Sequence, residues 1–393
     1  MHIEKGFLFL SLAICYCLAS CIDPFEPKLL TTADKFLAVG GMITGGTTVI
    51  ELARGIAMDE DVAEMVSDAV LYVESNDGAR YDDVRYAGGG KYEIAMPELD
   101  AALQYRVHID WEGREYESEF LAPFITPPID SISYIVRDEN KSVYITVSTH
   151  DNSNQSPYYR WYYREHWEYK AELFANGAIY SIQNSTFLKY DLNSSRNTYY
   201  CWGADSSKLY NVGSTKGLSD NVVSQQKLIE IDPSGDKFSI LYYIHITQYQ
   251  IREEAYKYYE SQNKNITQTG GIFSAMPAEV SGNIRCTTDS AALVVGYIEV
   301  SVPTAAQRFI PESEGLYRPQ VSDCSSQIIP AAGYEYYAVN YGILYIVEDR
   351  TIDAELGIVS GGPVSAAPYR CIDCTYKGRG TKNKPDFWPT DHL

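Results

Sequence analysis

The chain has 393 residues and a formal net charge of −20, from 32 lysines and arginines against 52 aspartates and glutamates. That charge repels phosphate backbones and argues against a nucleic-acid partner. Hydrophobic residues make up 45% and charged ones 21%, which excludes wholesale disorder. The 34 tyrosines against 12 phenylalanines suit strands and binding surfaces and predict an exported, β-rich protein.

The amino terminus carries the clearest local signal. A weak positive start (His2, Lys5) precedes an apolar run from Gly6 to Ala19, too short to span a bilayer as a helix. Residues 1–20 therefore read as a removable signal. The run closes on Leu18-Ala19-Ser20-Cys21, which resembles a lipobox: small residues before the cut, and a thiol to carry the acyl chains. Lipidation at Cys21 would anchor the protein, since each buried CH₂ contributes roughly 0.8 kcal/mol. Residues 21–35, with Pro24 and Pro27, read as an extended tether. The expected location is the outer membrane, lipid-anchored, with the cell surface favoured over the periplasmic leaflet.

Residues 36–126 show period-two alternation with glycine punctuation. Tyr105, Val107, Ile109 and Trp111 share one strand face, with Arg106, His108 and Asp110 on the other. Tyr116, Ser118 and Phe120 alternate with glutamates. This predicts an immunoglobulin-like or fibronectin-like β-sandwich, with His108 solvated. Phe124-Ile-Thr-Pro-Pro128 marks a boundary. Residues 127–368 then predict a larger antiparallel β-rich domain carrying one helix at about 248–265. Its strongest strand is Phe238 to Thr247. In the helix, Ile251, Ala255, Tyr258, Tyr259 and Gln262 share a face, and Glu253–Lys257 and Glu260–Lys264 are i,i+4 pairs. Gly270-Gly271 would end it. Residues 369–393 form a cysteine-containing tail.

The run Tyr158 to Trp167 is densely aromatic. Tyr159, Trp161, Tyr163 and Trp167 could stack on a sugar or peptide, or fill a core from one strand. Glu165 and His166 point to opposite faces of that strand and make a poor acid–base couple. Asp59-Glu60-Asp61 reads as a solvated run, and Asp151-Asn-Ser-Asn154 as half a calcium loop without its glycine or distal glutamate. Cys371-Ile-Asp-Cys374 lacks the second ligand pair of a zinc site, so no metal or cofactor is expected. In an exported chain, Cys201, Cys324, Cys371 and Cys374 are disulfide candidates in an open pairing, which leaves Cys286 over. No nucleophile elbow, HExxH, Walker loop or dinucleotide fingerprint is present, and the chain reads as a non-enzyme.

Several motifs resemble a lipoprotein family of Bacteroidota catalogued as domain of unknown function 4249. They are Tyr242-Tyr243, Gln248-Tyr249, Glu254-Ala255-Tyr256, Gly271-Ile272-Phe273, Pro277, Gly282-Asn283-Ile284 and Gly296-Tyr297. The tail Cys371-x-x-Cys374 with Lys384-Pro385-Asp386-Phe387-Trp388 is similar too, as are Tyr159-x-Trp161, Cys201-Trp202 and the entry Cys21-Ile-Asp-Pro-Phe-x-Pro27. The resemblance implies genes beside TonB-dependent outer-membrane receptors, and it carries no catalytic residues. It implies an accessory, substrate-binding lipoprotein of such a nutrient transporter, with a glycan or peptide ligand. The alternatives are a structural or assembly factor of an outer-membrane complex and a hydrolase. In the basic tail, Lys384, Phe387 and Trp388 would either dock the partner or close the fold.

Overall fold

Alternating strands assemble here into paired antiparallel sheets with one helix between them. The structure, a computed structural model, describes residues 36–55, 64–137, 142–175, 177–182, 186–191, 198–269, 282–319, 322–330, 336, 343–348, 352–353, 358–359, 364–378 and 380–390. The signal, the tether with Cys21, the acidic run at 59–61, Gly270-Gly271, Gly271–Phe273 and Pro277 lie outside the described residues. The protein is mainly β.

The first sandwich joins two sheets. One runs in the order Phe124–Ile125, Glu299–Val302, Leu37–Ile43, Gly46–Arg54, Lys91–Met96 and Val84–Gly88. The other runs Ile284–Cys286, Arg114–Ser118, Tyr105–Trp111, Val70–Ser75 and Arg80–Tyr81. Val39, Ile50, Leu52 and Ile94 from one meet Leu71, Val107, Ile109 and Tyr116 from the other in a single core. The face holding Tyr105, Val107, Ile109 and Trp111 is buried, as the alternation predicts. On the outer face Arg106 bridges Glu74 and Glu117. His108 departs from expectation: it is half-buried, and its ring stacks on Tyr72 at 4.6 Å.

The boundary at 126 needs correction. The chain returns to the first sandwich at residues 284–302: Val294–Gly296 and Glu299–Val302 run parallel to Leu37–Ile43, and Ile284–Cys286 pairs with Arg114–Ser118. Ile298 and Val300 are fully buried there. Parallel neighbours need a long crossover, and most of the second sandwich lies within it.

The second sandwich packs a three-stranded sheet (Ile129–Arg137, Ser142–His150, Val222–Ile231) on a larger one. The larger sheet runs Thr304–Pro311, Leu241–Ile251, Tyr158–Lys170, Tyr200–Ser206 and Gly380–Thr381, with Asn211–Ser214 also on Tyr158–Lys170. A further sheet runs Thr186–Asp191, Gly177–Ile182, Ile343–Glu348, Val364–Ala367 and Gln327–Ile329. The strong strand is Leu241–Ile251, shifted from the expected start at Phe238, because Asp236–Phe238 forms a 3₁₀ turn.

The helix spans Glu253–Thr269, so its expected start at 248 is wrong. Gln248 to Ile251 stay in the strand because they pair across to Trp161 through Tyr158. The Gln248 and Gln250 side chains also join a buried polar network. Ala255, Tyr258, Tyr259 and Gln262 form the buried helix face. Glu253 pairs with both Lys257 and Lys216 at 2.9 Å, and the hydrogen bond from Lys216, then that from Lys257, holds its carboxyl down to about 2. Glu260 instead accepts the Tyr256 hydroxyl at 2.7 Å.

Two disulfides, Cys201–Cys374 and Cys324–Cys371, fasten the tail, and Cys286 is free and buried.

Candidate functional site

Strand alternation leaves a cavity between the two sandwiches. The inward face of Leu37–Ile43 feeds the first core through Val39 and Ile43, so Gly40 and Met42 face outward. On the neighbouring strand Ile50 and Leu52 are core, and Glu51 faces outward as the cross-strand partner of Gly40. Met42 packs on Tyr158, Ile251, Ala255, Tyr258, Tyr259 and Tyr297, the apolar seam between the sandwiches. Beside that seam lies a cavity of about 230 Å³. One wall carries Gly40 and Glu51; the other carries Arg160, Tyr210, Tyr258 and Tyr259.

Glycine matters at both positions of the first wall, for different reasons. A Cβ on Gly40 would meet nothing within 4 Å, so its absence leaves open space beside Glu51. Gly41 has φ +146°, and a Cβ there would lie 2.6 Å from the Val49 carbonyl oxygen. No other residue lets these strands approach so closely.

The opposite wall is organised around one guanidinium. Arg160 donates from Nη1 to the Tyr259 hydroxyl at 3.0 Å, and its guanidinium sits 4.5 Å from the Tyr259 ring centroid and 4.9 Å from that of Tyr210. Such stacking fixes the planar fork in one orientation. Tyr210 is clamped to the helix: its N–H donates to Asn263 Oδ1 at 2.9 Å, and Asn263 Nδ2 donates to its carbonyl at 2.7 Å. Burial pushes the Tyr210 phenol up to about 12 against the pull of Arg160, and burial also raises Tyr258, Tyr259 and Tyr297. All four therefore stay protonated near neutrality and keep their O–H donors.

The junction holding these walls is tied by polar groups. Glu299, fully buried on the first sandwich, accepts from the Arg252 N–H and the Val300 N–H, both at 2.9 Å, and pairs with the Arg252 guanidinium. Arg252 also donates to the Ala122 carbonyl at 2.5 Å and lies over Phe124. The Pro127 carbonyl accepts from Gln248 and Thr304, each at 2.8 Å. Such a network holds the spacing of the two walls with few free rotations.

A family model described as "Domain of unknown function (DUF4249)" matches residues 22–307, more than half of the chain and every residue of the cavity wall described above. The chain belongs to the DUF4249 family. No match is found among the curated proteins.

In this DUF4249 protein the expected ligand residues lie on the wrong face of the right strand. Tyr159, Trp161, Tyr163 and Trp167 all point into the second core and are 0%, 1%, 8% and 7% exposed. Two of them are also engaged through polar atoms: Tyr159 donates to Asn221 Oδ1 at 2.9 Å, and Trp161 donates to Gln248 Oε1 at 2.7 Å. Only Trp161 reaches the cavity wall, with almost no free surface. The stacking role is corrected to a packing role, because aromatics at every second position share one face. Arg160, on the alternate face, is the residue that sequence reading missed; it and Arg164 are the two cations inside the aromatic run, and nothing local told them apart. Glu165 and His166 do point to opposite sides: Glu165 is buried against Lys237 and the Tyr242 hydroxyl, while His166 meets Phe387.

The half calcium loop proves to be a hydrogen-bonded turn. Asp151 accepts from Ser153, Asn221 and Gln250; burial pushes its carboxyl up, but the bonds from Ser153 and Gln250 outweigh that and hold it low. Among the described residues no group of three or more His, Cys, Asp or Glu is placed to hold a metal, and no helix is long and apolar enough to cross a membrane.

The tail docks on its own chain. Trp388 is buried, and its Nε1–H donates to Glu168 Oε2 at 2.7 Å. Phe387 stays half exposed against Tyr243, and Lys384 donates to the Pro389 carbonyl at 3.0 Å. Trp388 therefore closes the fold, which corrects its assignment as a partner-docking residue.

Proposed function

We propose that this protein is a lipid-anchored outer-membrane binding protein that captures a small ligand between its sandwiches for a TonB-dependent receptor. The observation that carries the reading is the tyrosine-walled cavity, with one oriented guanidinium and walls held by the Glu299–Arg252 junction. Sites of this kind, concave and lined by apolar and aromatic side chains with a few placed polar groups, are the usual form of small-molecule sites. The lipobox ending in Cys21 supports anchoring, and the family resemblance supports the receptor partner.

The test is co-isolation of the native protein from gently solubilised outer membranes, alongside fractionation of Cys21→Ser. Recovery of a barrel receptor with the wild type, and loss of membrane association in the variant, are the expected results. No receptor under any mild detergent, or a variant that stays membrane-bound, would overturn the reading.

A second reading, an assembly factor, is favoured by one feature. Phe174, Tyr200, Tyr369 and Tyr376 are each exposed and cluster around the two tail disulfides. Tyr369→Ser with Tyr376→Ser separates the readings: an assembly factor loses its partner with these rings, whereas a ligand-binding protein keeps its cavity function.

A further inference from the structure

The charges inside the cavity define its ligand, on the reading that the cavity is a binding site. We propose that the cavity takes a zwitterion, an amino acid or the end of a short peptide, with its carboxylate on Arg160 and its ammonium on Glu51.

Two opposite charges, Arg160 and Glu51, share one small space, and the third charged residue of the lining, Lys208, is paired with Asp205 at 3.3 Å. Arg160 and Glu51 both line the cavity, yet neither makes an ion pair with a residue among those described. Elsewhere this protein does pair its sheltered charges: Glu299 with Arg252, Glu165 with Lys237, and Arg106 with Glu74 and Glu117. A partly desolvated charge without a partner is costly, so a ligand that supplies both counter-charges gains on two counts.

Geometry assigns the ends. The guanidinium has five N–H donors, of which one goes to Tyr259. Tyr210 and Tyr259 both lie to one side of it, their ring centroids 4.7 Å apart, which leaves its remaining N–H groups for the bidentate grip that a carboxylate takes best. Glu51 stands across from Gly40, where even a Cβ would meet nothing within 4 Å. The same lining holds Tyr162, Tyr210, Tyr258, Tyr259 and Tyr297, rings suited to an apolar or aromatic side chain.

Competing chemistries fit less well. A phosphate or a simple carboxylic acid satisfies Arg160 but adds negative charge near Glu51. A neutral sugar leaves both charges unmatched. At about 230 Å³ the cavity is below the roughly 300–1,000 Å³ of drug-sized sites, which suits one residue or a dipeptide end.

The test is calorimetric titration of the full mature protein with glycyl-L-tyrosine, L-tyrosine, N-acetyl-L-tyrosine, L-tyrosinamide and N-acetylglucosamine. L-tyrosine or the dipeptide should bind, and masking either charge should weaken binding by about tenfold or more. Arg160→Gln should erase the penalty for amidating the carboxylate, and Glu51→Gln the penalty for acetylating the amine. Gly40→Leu should abolish binding by filling the space, with intact disulfides and an unchanged circular dichroism spectrum as the folding control. Equal affinity for masked and unmasked tyrosines would overturn the proposal. Binding of N-acetylglucosamine alone, lost in Gly40→Leu, would overturn it while leaving the cavity a ligand site. No binding by any probe would count against both the ligand class and the binding function.

Discussion

Trp388→Ala tests whether the carboxyl-terminal segment is part of the second sandwich or an appendage to it. Trp388 is 3% exposed, packs edge-on against Phe309 at 5.7 Å, and donates its indole N–H to the buried Glu168 carboxylate. An indole buries about 150–250 Å². At about 25 cal/mol per Å², less the small part that alanine retains, truncation should cost about 3–5 kcal/mol. Trp388→Phe keeps most of the packing and removes the donor, so its cost should be about 1.5–3 kcal/mol, the usual value for a bond to a charged acceptor. Urea unfolding with the disulfides intact, followed by far-ultraviolet circular dichroism, measures both variants. A Trp388→Ala protein within about 1 kcal/mol of the parent would refute the seating of the tail. Equal costs for the two variants would refute the division between packing and hydrogen bond.

Three further outcomes are expected. Replacing Cys324 and Cys371 together with serine removes a bridge across a separation of 47 residues, and chain entropy puts the cost at about 4 kcal/mol, read as a lower urea midpoint in the oxidised protein. Gly203→Ala would drive a Cβ to 2.2 Å from the Trp167 ring, so it should lose about 1–3 kcal/mol by thermal unfolding. Burial, working against the attraction of Arg252, holds the Glu299 carboxyl above its ordinary value. A raised carboxyl favours the folded state fully below the ordinary pKa and loses that contribution as pH rises through the folded value. Glu299→Gln should therefore gain on the parent as pH climbs through that window, and a melting-temperature difference independent of pH would contradict this.

The strand faces were legible because they are local. Tyr105, Val107, Ile109 and Trp111 declare one buried face by period two alone, and the structure buries all four. The four disulfide cysteines and the leftover Cys286 followed from counting in a chain expected to be exported, but their pairing depended on which loops come together. Two things left no local mark. The return of residues 284–302 to the first sandwich is a long-range pairing, and a three-residue strand such as Ile284–Cys286 carries too little pattern to name its neighbour. Gln248 to Ile251 have spacing compatible with a helix, and only their partners on Tyr158–Lys170 keep them extended.

The functional site shows the same limit at the scale of one strand. In Tyr158–Lys170 the alternation divides the residues into two sets, but it does not say which set meets a core and which meets a cavity. Aromatic residues drew attention to Tyr159, Trp161, Tyr163 and Trp167, and the three-stranded sheet packed against them covers that set. From the other set, Tyr158, Arg160 and Tyr162 face the helix and the first sandwich, which closes over Arg160 incompletely because Gly40 stands opposite. A guanidinium among tyrosines would be an unfavourable core residue, so its place in a mainly aromatic strand made sense only if that face stayed partly open. The cavity between the sandwiches is what sets Arg160 apart from Arg164, which stands four residues on along the same face.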